Sequence, residues 1–211
     1  MELTTWLLFS GIALIAVISP GPAVLLSVTN SLTHGFSSSV FSSLGNVTGL
    51  FIVSGAAVLG LGAVLQTSTL VFNILKFCGA LYLLYLGIRQ WRSNGNFFAQ
   101  SIETAPLGQG KGKAFVQGLF VAISNPKAVF FFTALFPQFL DLSKPIWIQF
   151  ILLTSTFMLF SFLMLVLYAR SARSAVGWFS KGRRALWFNR ISGTIFIAFG
   201  LGMLRLRNKS A

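Results

Sequence analysis

The chain has 211 residues, 55% of them hydrophobic and only 9% charged, with a mean hydropathy of +0.81. A soluble globular domain carries about 25% charged residues, so the composition excludes one and points to an all-α polytopic membrane protein. The net charge is +13, but the cations stand at the ends of apolar runs, which reads as membrane topology and contact with the lipid bilayer, not as nucleic-acid binding.

The first apolar run, from about Trp6 to Val28, holds Ile18-Ser19-Pro20-Gly21-Pro22-Ala23-Val24. Each proline removes a backbone donor and clashes with the preceding turn. In lipid the freed carbonyls need partners, so a break at that depth survives only against protein or a watery cavity. Glu2 and the absence of a basic leader make this run a retained helix. Thr29 to Ser39 reads as a polar linker containing His34, which has no acid or cysteine beside it and is no metal site. Span 2 covers about Val40 to Leu65, and its Gly45-x-x-x-Gly49 face lets a neighbouring helix come close. Span 3 covers about Thr69 to Ile88 and ends at Arg89, Trp91 and Arg92. The lone cysteine, Cys78, excludes a disulfide or a paired-cysteine redox motif and reads as a buried apolar side chain.

Ser93 to Lys113 is a long polar loop. Span 4, about Ala114 to Phe136, carries a second break, Ile123-Ser124-Asn125-Pro126-Lys127-Ala128-Val129, and Pro137 is expected to stop it. Span 5 covers about Ile146 to Tyr168. The basic, aromatic segment from Ala169 to Asn189 suits the headgroup level. Span 6 covers about Ile191 to Leu206.

The frame Ile-Ser-x-x-x-Ala-Val occurs at both breaks. Lys76-x-x-Gly79-x-x-Tyr82-x-x-Tyr85 in span 3 is echoed by Arg190-x-x-Gly193-x-x-Phe196-x-x-Phe199 in span 6. The predicted architecture is one membrane domain of six transmembrane helices. It divides into two inverted three-helix repeats, about 1–92 and 114–211, joined by a loop at about 93–113. Broken helices in corresponding positions of two halves point to a transporter binding site. The Lys and Arg bias puts the loops after spans 1, 3 and 5 in the cytoplasm and both termini outside.

At each break the restarting helix offers unpaired N–H groups to an anion such as a carboxylate. The carbonyls before it suit an ammonium group. Ser19, Pro20, Gly21, Pro22, Ser124, Asn125, Pro126 and Lys127 are therefore the candidate substrate-binding residues. A lysine inside a span is a functional candidate by default, and arginine would partly replace Lys127 if charge alone mattered.

Ser19-Pro20-Gly21-Pro22, Gly45-Asn46-Val47-Thr48-Gly49, the run Gly79 to Gly87 and Ser124-Asn125-Pro126-Lys127-Ala128 together resemble the LysE/RhtB-type amino-acid exporters over nearly the whole chain. The resemblance adds Asn46 to the candidate set. It implies a secondary transporter in the bacterial inner membrane. Such a protein exports amino acids or derivatives, threonine- or homoserine-like or otherwise small, against proton uptake and without a cofactor. Many relatives place an acid just after the second glycine of span 2, where this chain has Leu50. The acids here are Glu2, Glu103 and Asp141, all outside or at the edges of spans, which puts proton coupling in question. Two rival readings remain: an intramembrane enzyme built on Ser124 and Lys127 at helical spacing, and a membrane assembly subunit without transport. The glycine-rich span 2 leaves homo-oligomerisation open.

Overall fold

A computed structural model of the chain describes residues 1–19, 21–67, 110–141 and 143–172, residue 174, and scattered positions within 77–92 and 186–201. The regular elements among them are helices: α1 Leu3–Ile18, α2 Pro22–His34, α3 Phe36–Thr67, α4 Lys111–Ser124, α5 Pro126–Phe130 and α6 Ile146–Arg170. Between α5 and α6 come a π-helical turn, Phe131–Leu135, and a 3-10 turn, Phe136–Phe139.

Both breaks follow from proline chemistry. Pro22 and Pro126 open α2 and α5, at a helix end where a missing N–H costs nothing. Asn125 caps α5, its Oδ1 accepting from the Lys127 N–H at 3.1 Å. The α1–α2 pair bends by 51°, and so does α4 against Pro126–Phe139. α3 and α6 are each long and apolar enough to cross a bilayer, and each bent pair meets the same measure as one span, giving two to four crossings among the described residues. Of the expected spans 3 and 6, the described positions are helical. The rest of both, most of the 93–113 loop and most of the 169–189 segment lie outside the described residues.

The polar linker at 29–39 is not a linker. α2 continues to His34, Gly35 alone makes the turn at φ 86°, and α3 starts at Phe36. Several hydroxyls in and just after this stretch bond to nearby backbone instead of to water. Thr33 donates to the Thr29 carbonyl at 2.8 Å, and Ser42 and Ser43 donate to that of Ser39 at 2.9 and 2.8 Å. Span 4 also outruns its expected end, because Pro137 fits the first turn of the 3-10 segment. Gln149 ties down the short connection before α6, its amide donating to the Asp141 carbonyl at 2.8 Å and accepting from its N–H at 2.9 Å.

The tightest contact is backbone against backbone. A Cβ added to Gly45 would stand 1.8 Å from the Phe115 carbonyl oxygen, and one on Gly118 would stand 1.8 Å from that of Ser42. Gly49 meets Leu119 and Ala122 in the same way. The contacts advance together along both helices, so α3 and α4 run in the same direction. Gly87 lies against Gly193 and Gly200 against Ala80, so the segments holding them run oppositely. Gly79, the expected counterpart of Gly193, lies outside the described residues.

The two ends of the bundle differ. On the side of the breaks reached by α1 and the turns after α5, Phe9, Phe131, Phe132, Phe136 and Phe157 form a buried cluster with ring centroids 4.5–5.9 Å apart, mostly edge to face as ring quadrupoles prefer. The other side, built from α2, the start of α3 and the end of α6, is rich in buried serine.

Candidate functional site at the facing helix breaks

An α-helical residue donates its N–H to the carbonyl four positions back. Pro20 therefore orphans the Ala16 carbonyl, and Pro22 orphans that of Ile18. Both orphans are met by side chains from elsewhere. Lys127 Nζ donates to the Ala16 oxygen at 2.9 Å and to the Ser19 oxygen at 2.7 Å. The Tyr168 hydroxyl donates to the Ile18 oxygen at 2.9 Å. The second break thus repairs the first, and the two breaks lie side by side. Gly21 leaves room for it: a Cβ there would stand 3.3 Å from the Lys127 nitrogen, which would have to shift slightly. The expectation that these carbonyls bind a substrate's ammonium group gives way to an internal ammonium already seated on them.

Beside this contact is a cavity of about 40 Å³. A water needs at least about 10–15 Å³ of such space, so as it stands the cavity has room for a few waters, and an amino acid enters only as the surrounding helices part. Gly21, Asn46, Asn125 and Lys127 line it, with walls from Val24, Leu50, Phe131, Phe157 and Leu165 and a hydroxyl from Ser161. Asn46 is 3% exposed; its Oδ1 accepts from Ser161 at 3.4 Å, and its Nδ2 has no partner. An ammonium group has three N–H donors, and Lys127 spends two on carbonyls. The first turn of α2 also opens here through Ala23 and Val24, bringing N–H groups that no earlier turn can use. The polar lining is therefore weighted to donors, and among the described residues no carboxylate is part of it. Leu50 is buried in the wall.

The other candidates fall outside. Ser19 is buried and contributes its carbonyl to Lys127. Pro20 lies outside the described residues. Pro22, Ser124 and Pro126 are exposed and do not line the cavity. With Ser124 exposed and the Lys127 ammonium turned to α1, the Ser–Lys pair of an enzyme is not assembled. Tyr168 and Ser161 were missed: both are long-range partners, and only the orphaned Ile18 carbonyl hinted that a donor was needed.

Tyr168→Phe should leave the Ile18 carbonyl buried without a donor, at a cost of about 1–3 kcal/mol, read as a lower melting temperature of the solubilised protein. Adding Pro22→Ala restores an N–H at the position that should serve Ile18, and should recover part of the loss. A Tyr168→Phe protein as stable as its parent would contradict the assignment.

Comparison with known proteins places this geometry in context. A family model described as LysE type translocator matches residues 14–207. The homoserine/homoserine lactone efflux protein of Salmonella typhimurium is 32% identical over 200 residues, covering 95% of this chain and 96% of its own. The uncharacterized membrane protein YrhP of Bacillus subtilis is 31% identical, with 90% and 93% covered. The leucine efflux protein of Salmonella choleraesuis is 28% identical, with 93% and 92% covered. No solved structure matches.

Proposed function

The chain belongs to the LysE type translocator family, and from that premise we propose that it exports a small amino acid or amino-acid derivative, homoserine-like or aliphatic, from the bacterial cytoplasm. The observation that carries the substrate class is the donor-weighted cavity at the facing breaks. An incoming carboxylate or lactone carbonyl enters this space as the helices part. It accepts the remaining N–H of Lys127 and the unpartnered Asn46 Nδ2–H, and the first turn of α2 adds its N–H groups and dipole. Val24, Leu50, Phe131 and Phe157 enclose a short apolar side chain. Among the described lining residues Lys127 alone ionises, so a proton exchanged for substrate travels on it or on the substrate's own amine.

The architecture that fits this role is six crossings in two inverted repeats, in the inner membrane, with both termini outside. The equal 51° bends, the contact between the breaks and the glycine contact between 87 and 193 all support it.

The test is uptake by inside-out vesicles, or by liposomes holding the purified protein, over a panel of amino acids including homoserine, threonine and leucine. Saturable uptake of at least one, abolished by competing substrate, is the expected result. Uptake no greater than in protein-free liposomes across the panel would instead favour a subunit that does not transport.

A further inference from the structure

The buried serines form a continuous line. Along α3, Asn46, Ser42 and Ser43, then Ser38 and Ser39, recur at one-turn spacing, and all are buried. Facing them on α2 are Ser27, Asn30 and Ser31. The single hydroxyl proton of Ser39 is shared between the Ser27 hydroxyl at 2.9 Å and the Ser27 carbonyl at 2.8 Å. α6 closes the third side: Ser27 donates to the Leu165 carbonyl and Ser31 to that of Ala169, each at 2.7 Å. The line begins at the cavity, with Asn46 and Ser161, and ends at the Gly35 turn. Asn46 to Phe36 is about 15 Å of helix at 1.5 Å per residue, half of a hydrocarbon core of about 30 Å. The far end carries cations over rings, Arg170 at 5.9 Å from the Phe36 centroid and Lys111 at 5.4 Å from that of Phe41, and is the cytoplasmic end in the topology proposed above. In the opposite direction the cavity is closed by phenylalanine rings.

Small residues also let helices pack closely, and serine alone would not distinguish packing from passage. The unpartnered groups do. Asn30 Nδ2, Ser38 Oγ and Asn46 Nδ2 are buried without hydrogen bonds, and their residues are 2%, 4% and 3% exposed. A finished packing seam satisfies its polar groups; these gain partners only when water or a polar solute is between the helices.

We propose that the seam between α2, α3 and α6 is the path by which solute reaches the cavity from the cytoplasmic face, with the Ser27–Ser39 pair as its closed constriction. The inference rests on the transport reading above. Opening exchanges hydroxyl–hydroxyl bonds for bonds to water, and Gly35, at φ 86°, is the turn about which α2 leaves α3.

The experiment places single cysteines in a Cys78→Ala background: Asn30→Cys and Ser38→Cys on the seam, Phe132→Cys in the ring cluster. Inside-out vesicles are treated with a small membrane-impermeant thiol reagent. The seam positions should react at least about tenfold faster than Phe132→Cys, since a thiol in dry apolar surroundings is suppressed as a nucleophile. Modification of Ser38→Cys should block uptake. Ser39→Val should slow uptake about tenfold, a change of about 1.4 kcal/mol in barrier, in the fraction that remains folded, and Ser39→Thr, which keeps the hydroxyl, should restore most of it. Seam cysteines as slow as Phe132→Cys, or reactive only from the opposite face, would overturn the path, as would Ser39→Val transporting at the parent rate. If the Cys78→Ala parent transports no amino acid, the transport reading fails, while the labelling pattern still decides whether the seam opens to water.

Discussion

Lys127→Met should abolish export, by about a hundredfold or more, the loss of about 2.7 kcal/mol expected when a charged donor is removed from the bound solute. The same change strips the Ala16 and Ser19 carbonyls of their donor, so the melting temperature should fall too, by an amount set by about 1–3 kcal/mol for each unsatisfied group. Lys127→Arg should fail nearly as badly. The site receives a compact ammonium wedged between two carbonyls and Gly21, and a planar guanidinium is larger and directs its donors in a fixed fork. This reverses the charge-only expectation from sequence. Transport and thermal melting measured on the same preparations decide it: Lys127→Met protein exporting at the parent rate would remove Lys127 from the mechanism.

Gly45→Val and Gly118→Val should yield almost no folded protein. Even the first carbon of a side chain would stand 1.8 Å from a backbone oxygen of the facing helix, which cannot rotate aside as a side chain can. The helices would have to part by more than about 1 Å, well beyond the repacking that costs 1–3 kcal/mol in ordinary cores. Gly55→Ala and Gly60→Ala are the matched controls, since nothing stands within 4 Å of either position; they should be neutral or gain up to about 1 kcal/mol from helix propensity. The recovered yield of monodisperse protein checks both pairs. Normal yield from Gly118→Val would show that α3 and α4 are not in backbone contact.

The breaks were legible in the sequence because proline acts locally: Pro22 and Pro126 start helices wherever the chain takes them. The close face at Gly45 and Gly49 was legible for a similar reason, as the absence of a side chain is visible without knowing the partner. What fills the orphaned carbonyls was not legible, since Lys127 and Tyr168 come from positions more than a hundred residues away. That Ser124 faces away from the cavity was not legible either, because the bend at Asn125 resets the helical phase, and no residue pattern says which face then looks inward. Thr29 to Ser39 was misjudged because a hydroxyl bonded to its own helix looks, in a sequence, like a hydroxyl bonded to water.

A carrier passes its cargo by moving some of its parts against others, and the glycine seam limits which parts are free. Two helices whose backbones touch cannot slide, because each sits in the other's groove with no compliant side chain between them. α3 and α4 are thus the stator of this machine. α1 and α2 are the rotor: apart from side-chain packing through Phe9 and Val28, they meet the rest through hydroxyls and one ammonium, bonds that water or cargo can replace. Amide hydrogen exchange should therefore be slowest along 42–49 and 115–122 and fastest on either side of Gly21, a gradient of stiffness that runs across the protein and not along its chain.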